Sequence, residues 1–188
     1  MGNKNWLESA RLSYEQTRAG FAPPFRIYET NGRPSIPVGP VRVAPSETPL
    51  AGALAQPAID LPVTFENGLT LVGYALNHSS IRPGETAYLE TVWRVDAVPN
   101  RLLSIMAHAL GSDGSALAVG DGLGVPIESW QPGDVFIQRH AITLPPNTPH
   151  GSYWLQTGVY WLDNGKRWPA RNTRPDGDRA LLVALEVQ

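Results

Sequence analysis

Four histidines and a scatter of acidic residues are the groups in this chain able to bind a metal or move a proton, and their spacing supports neither role. His78, His108, His140 and His150 form no paired-ligand motif, so zinc is not expected. His108, between Met106 and Leu110, reads as a buried, hydrogen-bonded histidine rather than a ligand. Asp113, Asp121, Asp163, Asp176 and Asp178 fall mostly at turns, where aspartate is selected for turn geometry alone. Asp176-Gly177-Asp178 resembles the opening of a calcium loop but lacks the oxygen-rich continuation and is flanked by Arg174 and Arg179. There is no Gly-X-Ser-X-Gly elbow, phosphate loop or dinucleotide fingerprint, and the glycines of 120–124 precede no helix. The chain therefore reads as not an enzyme, with no cofactor and no metal. A hydrolase or transferase would need two carboxylates from separate loops to meet in a cleft.

Aromatic residues offer a different chemistry. Along 153–162, Tyr153, Leu155, Val159 and Trp161 alternate with Trp154, Gln156, Gly158 and Tyr160. If the first set is core, the second lines the opposite face of a strand. Aromatic rings stack on the CH-rich faces of sugars and an amide bonds their hydroxyls, so Trp154, Gln156 and Tyr160 are candidate glycan-binding residues. Tyr88, with Glu90 and Arg94, is placed as an extension of that face. The competing reading is that residues 1–57 cover Trp154 and Tyr160, because wide exposed tryptophan patches are uncommon. Packing is the favoured reading of the two. Trp93 and Trp130 read as structural, the first alternating with Leu89 and Val95, the second closing a sandwich edge before a turn.

The elements that would position these residues are short strands cut by turn dipeptides. Val63–Phe65 and 69–76 flank Asn67-Gly68, the strongest short hairpin signal. After Pro83-Gly84, Ala87, Leu89, Trp93 and Val95 share one face while Tyr88, Glu90, Arg94 and Asp96 share the other. Further strands are read over 102–110, 116–119 after Asp113-Gly114, 135–144 after Pro132-Gly133, 153–162 before Asn164-Gly165, and 181–187. No helical stretch long enough for a βαβ crossover intervenes, so the expected fold is all-β, an immunoglobulin- or fibronectin-like two-sheet sandwich over 58–188. Before it, residues 1–57 read as a short amphipathic helix (5–19, capped by Asn5 and stopped by Gly20) and a Pro-rich extended segment, with 44–57 as linker. Ile27 to Arg33 and Val41 to Val43 echo Tyr160 to Lys166 and Leu185 to Val187. Residues 21–43 are thus either a remnant of a preceding repeat or a chance Asn-Gly likeness.

Composition fits this architecture. The 188 residues are enough to bury roughly 70% of the unfolded chain's surface. The 18 glycines and 18 prolines demand many turns and few long helices. A net charge of -2 and a pI near 6.1 supply no field for nucleic-acid phosphates, so nucleic acid is not an expected partner. Without cysteine there are no disulfides and no thiolate chemistry, which leaves the compartment open. Met1 to Trp6 opens no signal-peptide core and no apolar run spans a bilayer, so a membrane link is expected only through an upstream segment.

Over residues 65–188 the order of several pieces resembles the β-sandwich domains that follow the membrane-spanning part of bacterial polyprenol-phosphate-sugar glycosyltransferase-like proteins. The pieces are Leu69 to Tyr74, Arg82-Pro83-Gly84-Glu85 with the strand ending in Trp93-Arg94, Ala107 to Leu110 before Asp113-Gly114, Asp121, Ser129 to Asp134, Leu144-Pro145, and Gly151-Ser152-Tyr153 running to Tyr160. The resemblance implies an extracytoplasmic location and a non-catalytic accessory or protein-interaction role beside cell-envelope glycan chemistry. The chain departs from that pattern in lacking the membrane spans and in carrying its N-terminal segment. The alternative from the residues themselves is a carbohydrate-binding module, and a protein or a glycan is accordingly the expected partner.

Overall fold

Asn67 and Gly68 both take positive φ, 66° and 107°, within the three-residue loop that separates the paired Phe65 and Leu69, and a Cβ on Gly68 would lie 2.3 Å from the Ala97 carbonyl oxygen. The turn joins β3 (Val63–Phe65) to β4 (Leu69–Leu76). The computed structural model of the protein describes residues 25–26, 39–171 and 176–188. The helix expected over 5–19 and the Ile27 to Arg33 half of the internal echo lie outside these residues.

Two sheets face each other. The first runs β1 (Phe25–Arg26), β9 (Val135–Thr143), β6 (Thr86–Val95), β4, β3 and β11 (Ala170–Arg171). The second runs β2 (Arg42–Ala44), β12 (Arg179–Val187), β10 (Gly151–Trp161), β7 (Leu103–Leu110) and β8 (Ala116–Val119), with β5 (Ser80–Ile81) pairing in parallel against Glu186 and Val187. The chain changes sheet at nearly every connection, so each sheet is completed by strands distant in sequence. The β7–β8 return contains Asp113-Gly114, as its turn chemistry predicts, with Asp113 accepting from the backbone and hydroxyl of Ser115.

The period-two pattern holds on the strands that build the core. Ala87, Leu89, Trp93 and Val95 of β6 are buried against Leu103, Ile105, Ala107 and Ala109 of β7 and Leu155 and Val159 of β10. Trp93 packs on Phe65 with ring centroids 5.6 Å apart, and Trp130 stacks on Phe136 at 4.9 Å, so both tryptophans are packing residues. Tyr74 reaches across the sandwich and donates to the Leu182 carbonyl at 3.1 Å.

Residues 42–54, which read as extended segment and linker, are part of this assembly. Val41 and Ile59 exchange backbone hydrogen bonds of 2.9 and 2.8 Å, closing the base of an excursion over the second sheet. Within it β2 pairs with Arg179 to Leu181, and α1 (Leu50–Leu54) packs Ala53 and Leu54 toward the sheet. Pro45, Pro49 and Pro57 disguise this helix, although Pro49 stands at its cap, where a missing N–H costs nothing.

Candidate functional site

Trp154, Gln156, Gly158 and Tyr160 do share the outer face of β10, as the alternation predicts. They lie opposite His108 (Gln156), Met106 (Gly158) and Ser104 (Tyr160) on β7. Trp154 and Gln156 are covered, while Tyr160 is half-buried. Trp154 is half-buried in a cluster with Ala44, Leu50, Ala53, Leu54, Leu110 and Leu181, and Arg42 lies over its ring at 5.5 Å. Gln156 is only 2% exposed.

The amide of Gln156 is held on both sides. Arg179 donates from its guanidinium to Gln156 Oε1 at 3.2 Å and to the Thr48 carbonyl, so the same side chain ties the sheet to the covering segment. That contact orients the amide, and Gln156 Nε2 donates to His108 Nδ1 at 3.1 Å. His108 then carries its proton on Nε2, which donates to Asp121 Oδ1 at 2.9 Å. Asp121 Oδ1 also accepts the Ala107 N–H at 2.8 Å, and Oδ2 accepts the Tyr160 hydroxyl at 3.0 Å. Burial pushes the Asp121 carboxyl up, yet the bonds from His108, Ala107 and Tyr160 outweigh it and hold the group below its ordinary value. The chain Tyr160, Asp121, His108, Gln156, Arg179 is a polar network in which both nitrogens of His108 and both oxygens of Asp121 have protein partners, while the buried Arg179 Nε has none.

Directly inside, a second thread crosses the core. Trp93 Nε1 donates to Thr91 Oγ1 at 2.8 Å, Thr91 donates to His140 Nε2 at 3.0 Å, and His140 Nδ1 donates to the Gly120 carbonyl at 2.8 Å. Each donor here has one acceptor, which fixes a neutral imidazole. Burial lowers the His140 pKa to about 4, with the Gly120 hydrogen bond and Asp121 pulling the other way. Gly120 and Asp121 are neighbours, so the core thread and the outer network share one backbone segment. Nothing in the sequence signals these partners, since Thr91 and His140 meet through the β6–β9 pairing and Gly120 comes from the segment after β8.

Tyr88 does not join Trp154, Gln156 and Tyr160. It lies on β6 in the first sheet, whereas they lie on β10 in the second. There it is 43% exposed and borders a shallow cleft of about 270 Å³ lined by Ala75, Leu76, Asn77, Tyr88, Glu90 and Arg139. Arg139 donates from Nε and Nη2 to Glu90 Oε1 at 3.0 and 2.6 Å, and its guanidinium lies 5.9 Å from the Tyr88 ring centroid. Asn77 Oδ1 accepts the Tyr88 N–H at 2.7 Å, fixing that end of the cleft. Arg94 is directed elsewhere, to Asp96 at 2.6 Å.

Of the other acidic groups, Asp163 pairs with Arg101, Asp178 accepts from Ser46 at 2.8 Å, and Asp134 accepts the Gln131 N–H at 2.8 Å. Among the described residues no group of three or more His, Asp or Glu side chains is arranged to hold a metal ion. His78 and His150 are exposed. Compared with known proteins, the chain matches no family model and no curated protein.

Proposed function

We propose that the protein is a non-catalytic accessory or protein-interaction domain of immunoglobulin-like type, working outside the cytoplasm beside cell-envelope glycan chemistry. The observation that carries the non-catalytic part is that both nitrogens of His108 are occupied within the protein. An Asp–His pair poised for proton transfer needs a free nitrogen facing substrate. Here Gln156 occupies that nitrogen, and Arg179 and the 42–54 segment sit over the amide. The strand order supports the immunoglobulin-like reading: β4, β6 and β9 stand against β12, β10, β7 and β8, with β5 crossing over to run parallel to the last strand. The resemblance over 65–188 supports the location and the glycan setting.

The test is made in the source cell. Protease added to spheroplasts is expected to degrade the chain, and cross-linking with mass spectrometry is expected to join it to an envelope sugar-transfer protein. Protection from protease overturns the location. Turnover of a glycoside or an activated sugar that is abolished in Asp121→Asn overturns the non-catalytic role.

A further inference from the structure

We propose that the cleft on the outer face of the first sheet is a binding site for a neutral carbohydrate, with the Tyr88 ring as its stacking wall. The cleft exists because Ala75 is small. It stands opposite Glu90 in the β4–β6 register, and Glu90 stands opposite Arg139 in the β6–β9 register, so the alanine leaves a floor between Tyr88 and the ion pair. At about 270 Å³ the space suits one or two sugar rings rather than an extended cofactor.

The charges choose among ligand classes. An anion would need an uncommitted guanidinium, but Arg139 Nε and Nη2 are both spent on Glu90. A cation would need an uncommitted carboxylate, and Glu90 Oε1 takes both of those bonds. What the pair leaves is Arg139 Nη1 as a donor and Glu90 Oε2 as an acceptor, a set with no net charge. A half-exposed phenol face beside one donor and one acceptor matches a pyranose, whose CH face is apolar and whose hydroxyls both give and accept hydrogen bonds. Asn77 fixes the Tyr88 backbone at one end of the cleft. One aromatic contact holds a single ring only weakly, with a Kd on the order of 1 mM, and a longer glycan more tightly. The site is independent of the accessory role, which stands or falls on the spheroplast experiment.

The test is a saturation-transfer NMR titration of the purified chain with methyl glycosides of glucose, galactose and mannose, with neutral hexasaccharides of each sugar, and with glucuronate and glucosamine as charged counterparts. The expected result is saturable binding of at least one neutral glycan, at least tenfold weaker in Tyr88→Ala and in Ala75→Leu and within threefold of the parent in Tyr88→Phe. All three variants are expected to keep the parent's urea midpoint, because each change lies at an outward-facing position. No binding by any neutral glycan, tighter binding of either charged sugar, or binding indifferent to Tyr88→Ala and Ala75→Leu overturns the proposal.

Discussion

The outer faces of the two sheets are built from the same materials and put them to opposite uses. Each carries an aromatic side chain, an amide and an arginine bonded to an acceptor: Trp154, Gln156 and Arg179 on the second sheet, Tyr88, Asn77 and Arg139 on the first. On the second sheet the 42–54 excursion lies over them, and the polar groups turn inward to one another. On the first, Tyr88 and the Glu90–Arg139 pair stay at the surface around a cleft. Residue type therefore does not decide whether an aromatic row is a binding face. What lies over it does.

Removing the aromatic from each face separates them most widely. Trp154→Ala is expected to cost about 3 kcal/mol in urea unfolding, since it empties a cluster that holds α1 on the sheet. Tyr88→Ala is expected to stay within about 0.5 kcal/mol of the parent. Equal losses would erase the distinction.

A pH series isolates the core thread from both faces. Well above pH 6.5 His140 is neutral in the folded and unfolded chains and contributes no slope. As pH falls from 6.5 toward about 4 the unfolded chain takes up a proton that the folded one refuses, so stability drops by up to about 3 kcal/mol and levels off below that. Asp121, whose folded pKa is depressed, adds a further loss only as pH falls through the carboxylate range. Denaturant midpoints between pH 8 and 3 check this, and His140→Leu, itself destabilised by leaving Thr91 and Gly120 unpaired, should lack the upper slope.

Smaller effects sharpen the contrast. Gly158→Ala on the covered face would place a Cβ 2.9 Å from the Asp178 carbonyl oxygen and 3.1 Å from Met106 Cε, for an expected loss of about 2 kcal/mol by thermal or urea unfolding. Glu90→Gln on the open face breaks a partly exposed ion pair and should cost under about 1 kcal/mol.

Most of the strands and their turns could be read in advance, because Asn67-Gly68 and Asp113-Gly114 act locally and period two survives wherever one face is buried. The alternation on β10 correctly separated Trp154, Gln156 and Tyr160 from the core set. The pattern cannot separate Tyr88 from them, because a strand's alternation reports its two faces and not the sheet it joins, which depends on pairing between distant strands. Val41 to Val43 reads as a strand only through its likeness to Leu185 to Val187, and α1 is hidden by Pro49 and Pro57, which stand beyond its ends rather than inside it. The Asp121 network and the His140 thread leave no local mark, since apart from the Trp93–Thr91 bond within β6 their partners come from other strands or loops.

The covering of Trp154 by α1 is tested most directly by a double-mutant cycle between Trp154→Ala and Leu54→Ala, read by urea unfolding. Two side chains packed in one cluster should couple by about 1 kcal/mol or more, the double variant losing less than the two single losses added together. Strict additivity, with Trp154→Ala no costlier than Tyr88→Ala, would mean that the helix does not close this face and that the second sheet presents its aromatics to solvent.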